Sequence, residues 1–499
     1  MLALVNGTIV DGSGAKPYRA SVVCEGDRIS YIGELADGLD GKAIDCAGLV
    51  VAPGFLDLHS HSDLQALDGA RLEKAKQGVT AELVGNCGFS AFPAGGDPER
   101  LREFARGIFR EPGEWGWPSA RDYLADACRS PGATDVYALA GHGSIRVAVA
   151  GMRQRITAGE RRRVQELMAA ALDEGCAGFS TGLMYAPGSS AGPPEIEPLC
   201  SLAAARGKLY ATHMRSYSNG LLEALREQLG MARNTGCRIQ ISHLQAAGRE
   251  NWPLLERGLQ EIDAAHTEGV DIEFDIYPYQ RGSTVLTQWL PRWALDGGMD
   301  ALCARLASAS DRARIAEHVE STIPQSWDDI TITGVRSEAH ARLVGRTLAG
   351  IAGLWAAKPV DAMLELLLAE RGAVNVVSFN QSEDNLRALL THPLCSVISD
   401  GFYVRGLPHP RLHGTFPELL GGVVREKRWM TLEEAIHKIT AKPAARLRLN
   451  DRGLLRRGYR ADVVVFDPER VGSPATYSEP ERDPAGIVAV VKGGEVTRQ

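Results

Sequence analysis

At 499 residues the chain exceeds one ordinary domain and suits a large barrel with appendages. Its 44% hydrophobic and 23% charged residues are those of a globular protein in water, and a net charge of −7 without a lysine tract or basic face argues against nucleic-acid binding. Nine cysteines, an odd count without regular spacing, exclude a disulfide framework and fit a reducing compartment.

The N-terminal "MLALVNGTIVDGSG" lacks a basic region and reaches polar turn residues by Asn6, so a signal peptide is not expected. No apolar run is long enough to span a membrane, and the expected location is the cytoplasm. The first fifty residues read as short strands ("ALVNGTIV", "ASVVCEGDRISYIG", "KAIDCAGLVV") separated by Asn-Gly and Asp-type turns, which predicts a small antiparallel β unit. "ADVVVFDPER" and "IVAVVKGGEVTRQ" return to that style at the other end. Residues 1–52 and 447–499 are therefore expected to pair into one discontinuous β-sandwich domain. The basic stretch "LRLNDRGLLRRGYR" is broken by Gly and apolar residues and reads as a solvated loop.

Residues 53–446 alternate apolar strands with amphipathic helices such as "AGERRRVQELMAAALDEG" and "LLEALREQLGMARNTG". That alternation predicts a parallel sheet with helical crossovers, and near eight repeats it predicts an α/β fold, the (β/α)8 TIM-like barrel. Nine candidate strands are present: "GFLDLHSH", "TAELVGNCG", "VYALAGHG", "AGFSTGLM", "KLYATHMR", "RIQISHLQ", "IEFDIYPY", "VNVVSFN" and "CSVISDG". One is surplus, with "VNVVSFN" the preferred outsider. Residues 283–348 interrupt the rhythm and read as an inserted lid subdomain over the barrel mouth.

The chemistry lies where the strands end. His59 and His61, two residues apart and so on one face of a strand, close the first; Cys87 closes the second, His213 the fifth, His243 the sixth and Asp400 the last. In such a barrel these ends surround one mouth, where active sites are built. Imidazole and thiolate suit zinc, and a carboxylate binds it or serves as a base. A thiolate at Cys87 is expected to lie between two cations and moderate their repulsion. Asp57 shares the histidine face but lies deeper, where a hydrogen bond to an imidazole is expected. His142 reads as a satisfied strand-end histidine. Zinc lowers the pKa of coordinated water to roughly 7, so the set predicts metal-assisted hydrolysis. No dinucleotide fingerprint precedes a helix, which disfavours redox chemistry.

"APGFLDLHSHSD", "ITAKPAARLRL" and "GLLRRGYRADVVVFDP" resemble the amidohydrolase superfamily. "GNCGFS", "GFSTGLMYAPG", "THMRS", "ISHLQAAGRENW", "YPY", "SDG" and "HPRLHGTFP" resemble, more narrowly, its N-acyl-D-amino-acid deacylase (D-aminoacylase) family. The resemblance implies zinc-dependent hydrolysis of N-acyl-D-amino acids, small-molecule substrates, to a D-amino acid and a carboxylate. It implies one tight Zn2+ site at Cys87, His213 and His243 and a weaker second site at His59 and His61. Asp400 would touch the metal and act as general base, then acid; Tyr185 and Arg411 would hold the substrate's α-carboxylate. Arg presents a planar fork that matches a carboxylate.

Three departures stand near the mouth. Gln245 occupies a substrate-binding position where the family often has Lys, which leans against acidic D-amino acids. Tyr217 stands where Glu is expected, and the insertion is longer than expected. Two other readings compete with the deacylase. One is a hydantoinase- or dihydroorotase-like enzyme acting on a cyclic amide or a dipeptide with a D residue; the other is a catalytically silent binding protein. Nothing in the sequence sets the oligomeric state.

Overall fold

The computed structural model describes residues 1–34, 41–109, 115–129 and 134–498. Its centre is a ring of parallel strands, β1 (Phe55–Asp57), β2 (Val79–Val84), β3 (Asp135–Gly141), β4 (Gly178–Gly182), β5 (Leu209–His213), β6 (Arg238–Ile241), β7 (Ile272–Ile276) and β8 (Cys395–Val397). Each pairs with the next in chain order. β2 is buried along its whole length, the state of a parallel strand covered on both faces. The ring closes just past the strand ends. Ser60 bridges Gly401, Asp400 N donates to His59 O (2.8 Å), and His61 N donates to Gly401 O (3.0 Å).

The crossover helices follow from local sequence. Ala158–Asp173 starts at a capping box in which Thr157 and Glu160 satisfy each other's backbone N–H groups. Leu221–Thr235 stops at Gly236, whose φ of 68° is the left-handed cap that glycine adopts without strain. Leucines and alanines on the inner faces of these helices pack against the strands in one large apolar core.

"VNVVSFN" is indeed not a barrel strand. Val374–Phe379 lies between Arg281–Val285 and Ile330–Val335 in a separate antiparallel sheet inserted between β7 and β8. The insertion has its own apolar cluster, built from helices such as Ala309–Thr322 and Pro359–Ala369 against this sheet. Its sheet runs past Leu348, because the third strand returns only after two further helices.

The strands of the two termini share one sheet: Val463–Phe466 pairs antiparallel with Val50–Pro53. The expectation of a purely antiparallel N-terminal unit fails. Lys42–Asp45 and Val50–Pro53 both run parallel to Leu2–Ile9, because the chain re-enters the sheet in the direction in which it first left. Turn signals reveal hairpins but not the direction of a later re-entry.

Candidate metal centre and active site

At or just past the ends of β1, β2, β5, β6 and β8 the chain brings the six expected residues to one mouth, where they meet. Cys87 Sγ lies 3.4 Å from His59 Nε2 and 3.4 Å from His243 Nε2. His213 Nδ1 faces His243 Nε2 at 3.0 Å. Asp400 Oδ1 is 3.4 Å from His59 Nε2 and 3.3 Å from His61 Nε2. All six are buried.

The backbone is bent to achieve this. Cys87, His243 and Asp400 have φ values of 54°, 35° and 47°, in the left-handed region that costs a non-glycine residue about 1–3 kcal/mol. Such strain persists where surrounding structure holds a functional side chain in place. Here it turns three strand ends inward.

Two sets of ligand atoms lie within 4.8 Å of one another: His59, Cys87 and His243, and His59, His61 and Asp400. Atoms bound to one tetrahedral zinc at about 2.0–2.3 Å stand roughly 3.3–3.8 Å apart, which the 3.4 Å sulfur–nitrogen contacts match. The donor types fit zinc as well. His213 joins through His243 rather than as a member of the closest triplet, and His59 stands between both sets.

Burial and neighbouring charge shape the protonation of these groups. Burial, then the charge of His243, holds His213 well below the usual histidine range. Burial is the main cause that brings His243 down to about 4. For His59, burial is the largest influence and opposes protonation, but Cys87, Asp400 and Asp275 outweigh it and raise the pKa. Burial also opposes ionisation of Asp400, yet Arg411 and then His59 hold it well below the carboxylate range. Burial pushes the Cys87 thiol up.

Arg411 Nη2 donates to Asp400 Oδ2 at 2.9 Å, and the guanidinium lies 4.4 Å from the centre of the Tyr277 ring. Its Nε and Nη1 are buried and have no partner among the described residues. The Tyr185 ring packs 4.6 Å from that of His213, with its hydroxyl 3.2 Å from Thr284 Oγ1 in the insertion. Gln245 Oε1 accepts from Asn380 Nδ2 at 3.0 Å, and Asn380 Oδ1 accepts from Gln325 Nε2 at 2.8 Å. A chain of amides thus stands where the family often has Lys. Tyr217 hydrogen-bonds Ser242 O and Met214 N while its ring edges against His213 and His243, so it braces both imidazoles. Tyr185, Tyr217, Gln245, Asn380 and Asp400 line a cavity of ≈ 290 Å³, to which the insertion adds His318, Arg292 and Gln325, and Arg411 adjoins that lining through Asp400 and Tyr277.

Two expectations need adjustment. Among the described residues Asp57 pairs with no imidazole ring: its carboxylate binds Lys74 Nζ (2.6 Å) and Ser399, which close on it from the loop after β1 and from the Asp400 turn. The residue sequence reasoning missed is Asp275 on β7. Its Oδ1 accepts from His243 N at 2.7 Å and lies 3.4 Å from His59 Nδ1. An acid flanked by Phe274 and Ile276 was the available signal. His142 is satisfied at Nε2, 2.8 Å from Glu195 Oε1.

A closed parallel barrel with histidine, cysteine and aspartate gathered at its C-terminal mouth has the architecture of a metal-assisted hydrolase. The chain belongs to the amidohydrolase family, whose profile matches residues 42–498. It is 36% identical to an N-acyl-D-glutamate deacylase and 33% identical to a D-aminoacylase, both of Alcaligenes xylosoxydans xylosoxydans, covering 99% of this chain and 92% and 93% of theirs. Among solved structures it resembles an N-acyl-D-glutamate deacylase from Bordetella bronchiseptica complexed with zinc and a phosphonate inhibitor, with a TM-score of 0.86, 34% identity, and 99% and 96% of the two chains covered. An L-hydantoinase from Arthrobacter aurescens, at 14% identity and a TM-score of 0.57, shares the fold alone.

Proposed function

We propose that this protein is a zinc-dependent N-acyl-D-amino-acid deacylase, cleaving the amide of a linear N-acyl-D-amino acid into a D-amino acid and a carboxylate. The observation that carries the reading is Arg411, with two buried and unpartnered N–H-bearing nitrogens, standing 2.9 Å from Asp400 at the rim of the histidine–cysteine cluster. Cys87, His213 and His243 hold the tighter ion, and His59 and His61, with Asp400, hold the weaker one. The placement of Cys87 Sγ between His59 and His243 supports a thiolate shared by both positions.

Bound there, zinc supplies a Lewis acid for the amide carbonyl and lowers the pKa of water. The chain's own residues do the rest. Asp400 takes the proton from the attacking water and delivers it to the leaving nitrogen. Arg411 keeps its contact with Asp400 through Nη2 while Nε and Nη1 remain for the substrate's α-carboxylate. Tyr185 adds a hydroxyl on the other side, held by Thr284. A simple hydantoin would leave that carboxylate anchor unused, so the open-chain substrate is favoured over the hydantoinase-like alternative. A silent binding protein is disfavoured by six filled ligand positions.

A second feature bears on the side chain. Gln245 brings no charge, but Arg215 and Arg292 line the same cavity. Arg215 is paired with Glu227; burial, then the charge of Arg215, lowers the pKa of Arg292. An acidic side chain would offset that repulsion, so an N-acyl-D-glutamate or D-aspartate suits this cavity despite the missing Lys. We place the enzyme in the cytoplasm, which suits its unbridged thiols. We treat residues 1–52 with 447–499, and 53–446, as its two domains. Assay of matched N-acetyl-D- and L-amino acids with the zinc-loaded protein tests the proposal: D-selective turnover is expected, and turnover of hydantoins or of no D-substrate would overturn it.

A further inference from the structure

Asp400 and Arg411 come from separate segments, yet the reaction needs them at a fixed separation. We infer that Lys74 and Gln77, in the loop after β1, act with Asp57 and Ser399 as a positioning strap that sets Asp400 against Arg411. The inference rests on the acid–base and carboxylate-anchor roles proposed above.

One end of the strap grips the Asp400 turn. Lys74 Nζ donates to Asp57 Oδ2 at 2.6 Å and to the hydroxyl of Ser399. Ser399 Oγ donates to Asp57 Oδ2 (2.5 Å), Ser399 N donates to Asp57 Oδ1 (3.0 Å), and Gly401 N donates to Ser399 Oγ (3.0 Å). The residues on both sides of Asp400 are thereby tied to β1 in a pocket where Lys74 is 3% exposed and Asp57 and Ser399 are 0% exposed. This grip holds Asp400 at its strained φ of 47°.

The other end grips the segment that carries the arginine. Gln77 Nε2 donates to Leu412 O at 2.8 Å, and Gln77 Oε1 accepts from Phe416 N at 3.4 Å. Both partners belong to the helix Arg411–Glu418. Lys74 and Gln77 lie one turn apart, joined through Gln77 N donating to Lys74 O at 3.0 Å. One short loop therefore fixes both members of the Asp400–Arg411 pair. A buried ion pair is a poor source of stability compared with apolar packing. Fixing geometry is the better physical account of a charged lysine here.

The test separates positioning from stability. Ser399→Ala removes the hydroxyl that joins Lys74, Asp57 and Gly401, and is expected to lower kcat about tenfold with KM within about twofold. Gln77→Leu frees the arginine helix and is expected to raise KM about tenfold with kcat within about twofold. Both should keep wild-type metal content and lose Tm to a similar extent through the buried hydrogen bonds they break, while their kinetic effects differ. Unchanged kinetics in both variants, or losses that track Tm without the split between kcat and KM, would overturn the strap. A crystal structure of Ser399→Ala is the readout that needs no substrate. The strap predicts that the 2.9 Å Asp400–Arg411 contact opens, and an unmoved contact rejects it. Inactivity of the wild type on every N-acyl-D-amino acid would instead reject the proposed reaction and leave this structural readout standing.

Discussion

Two buried clusters at the barrel mouth contain the same kinds of group and have opposite characters. Around Glu195, donors and acceptors are matched apart from His142 Nδ1. His142 Nε2 and Arg146 Nε share Oε1 at 2.8 and 2.9 Å, and Arg146 gives its other N–H groups to the carbonyls of Arg153, Gln154 and Pro187. Around Cys87 they are mismatched. Imidazole nitrogens face each other and a thiol at 3.0–3.4 Å, on strained backbone. A histidine beside a carboxylate is therefore no sign of a site by itself. A set of metal-type donor atoms held at ligand spacing on strained backbone is one, because a shared cation accounts for that convergence.

The strongest way to break the comparison is to remove the cation. Chelation should abolish turnover, and added zinc should restore it; activity that survives complete metal depletion contradicts the contrast. Next in size, Asp400→Asn should lower kcat on the order of 10³-fold while most metal stays bound, read by steady-state kinetics with elemental analysis. Persistent activity would remove Asp400 from the reaction.

The matched cluster should answer differently. Glu195→Gln breaks a buried ion pair, at a cost on the order of 3 kcal/mol, with kcat changed only a few-fold. Its pH signature follows from the pKa. Burial opposes ionisation of Glu195, but His142 and Arg146 outweigh it and hold the carboxyl below its usual range. The group's contribution is then complete above the unfolded-state value of about 4.3 and fades as pH falls through the lower folded value. Denaturant midpoints should show this acid-side loss in the wild type and not in Glu195→Gln. The smallest effect sharpens substrate choice: Arg292→Ala should raise KM about tenfold for an N-acyl-D-glutamate, with little change for a neutral D-substrate. Equal effects on both would remove Arg292 from side-chain recognition.

The six gathered residues were legible because a parallel barrel converts a linear pattern, polar residue after apolar strand, into a ring of side chains. His59, His61, Cys87, His213, His243 and Asp400 all obey it. Asp275 does not, since it sits inside its strand rather than at the end. Lys74 and Gln77 lie at a single short helical turn whose partners, Ser399 and Leu412, are more than three hundred residues away, and no local periodicity encodes such a contact. The re-entry that makes the terminal sheet mixed, and the partners of Val374–Phe379, were hidden for the same reason: a strand's sequence states its burial but not its neighbour.

Anomalous diffraction at the zinc edge from crystals of the metal-loaded protein tests the central claim most directly. A peak about 2.0–2.3 Å from Cys87 Sγ and from the facing nitrogens of His213 and His243 is predicted, with a weaker one beside His59, His61 and Asp400. Zinc bound elsewhere, with no peak among Cys87, His213 and His243, would contradict it.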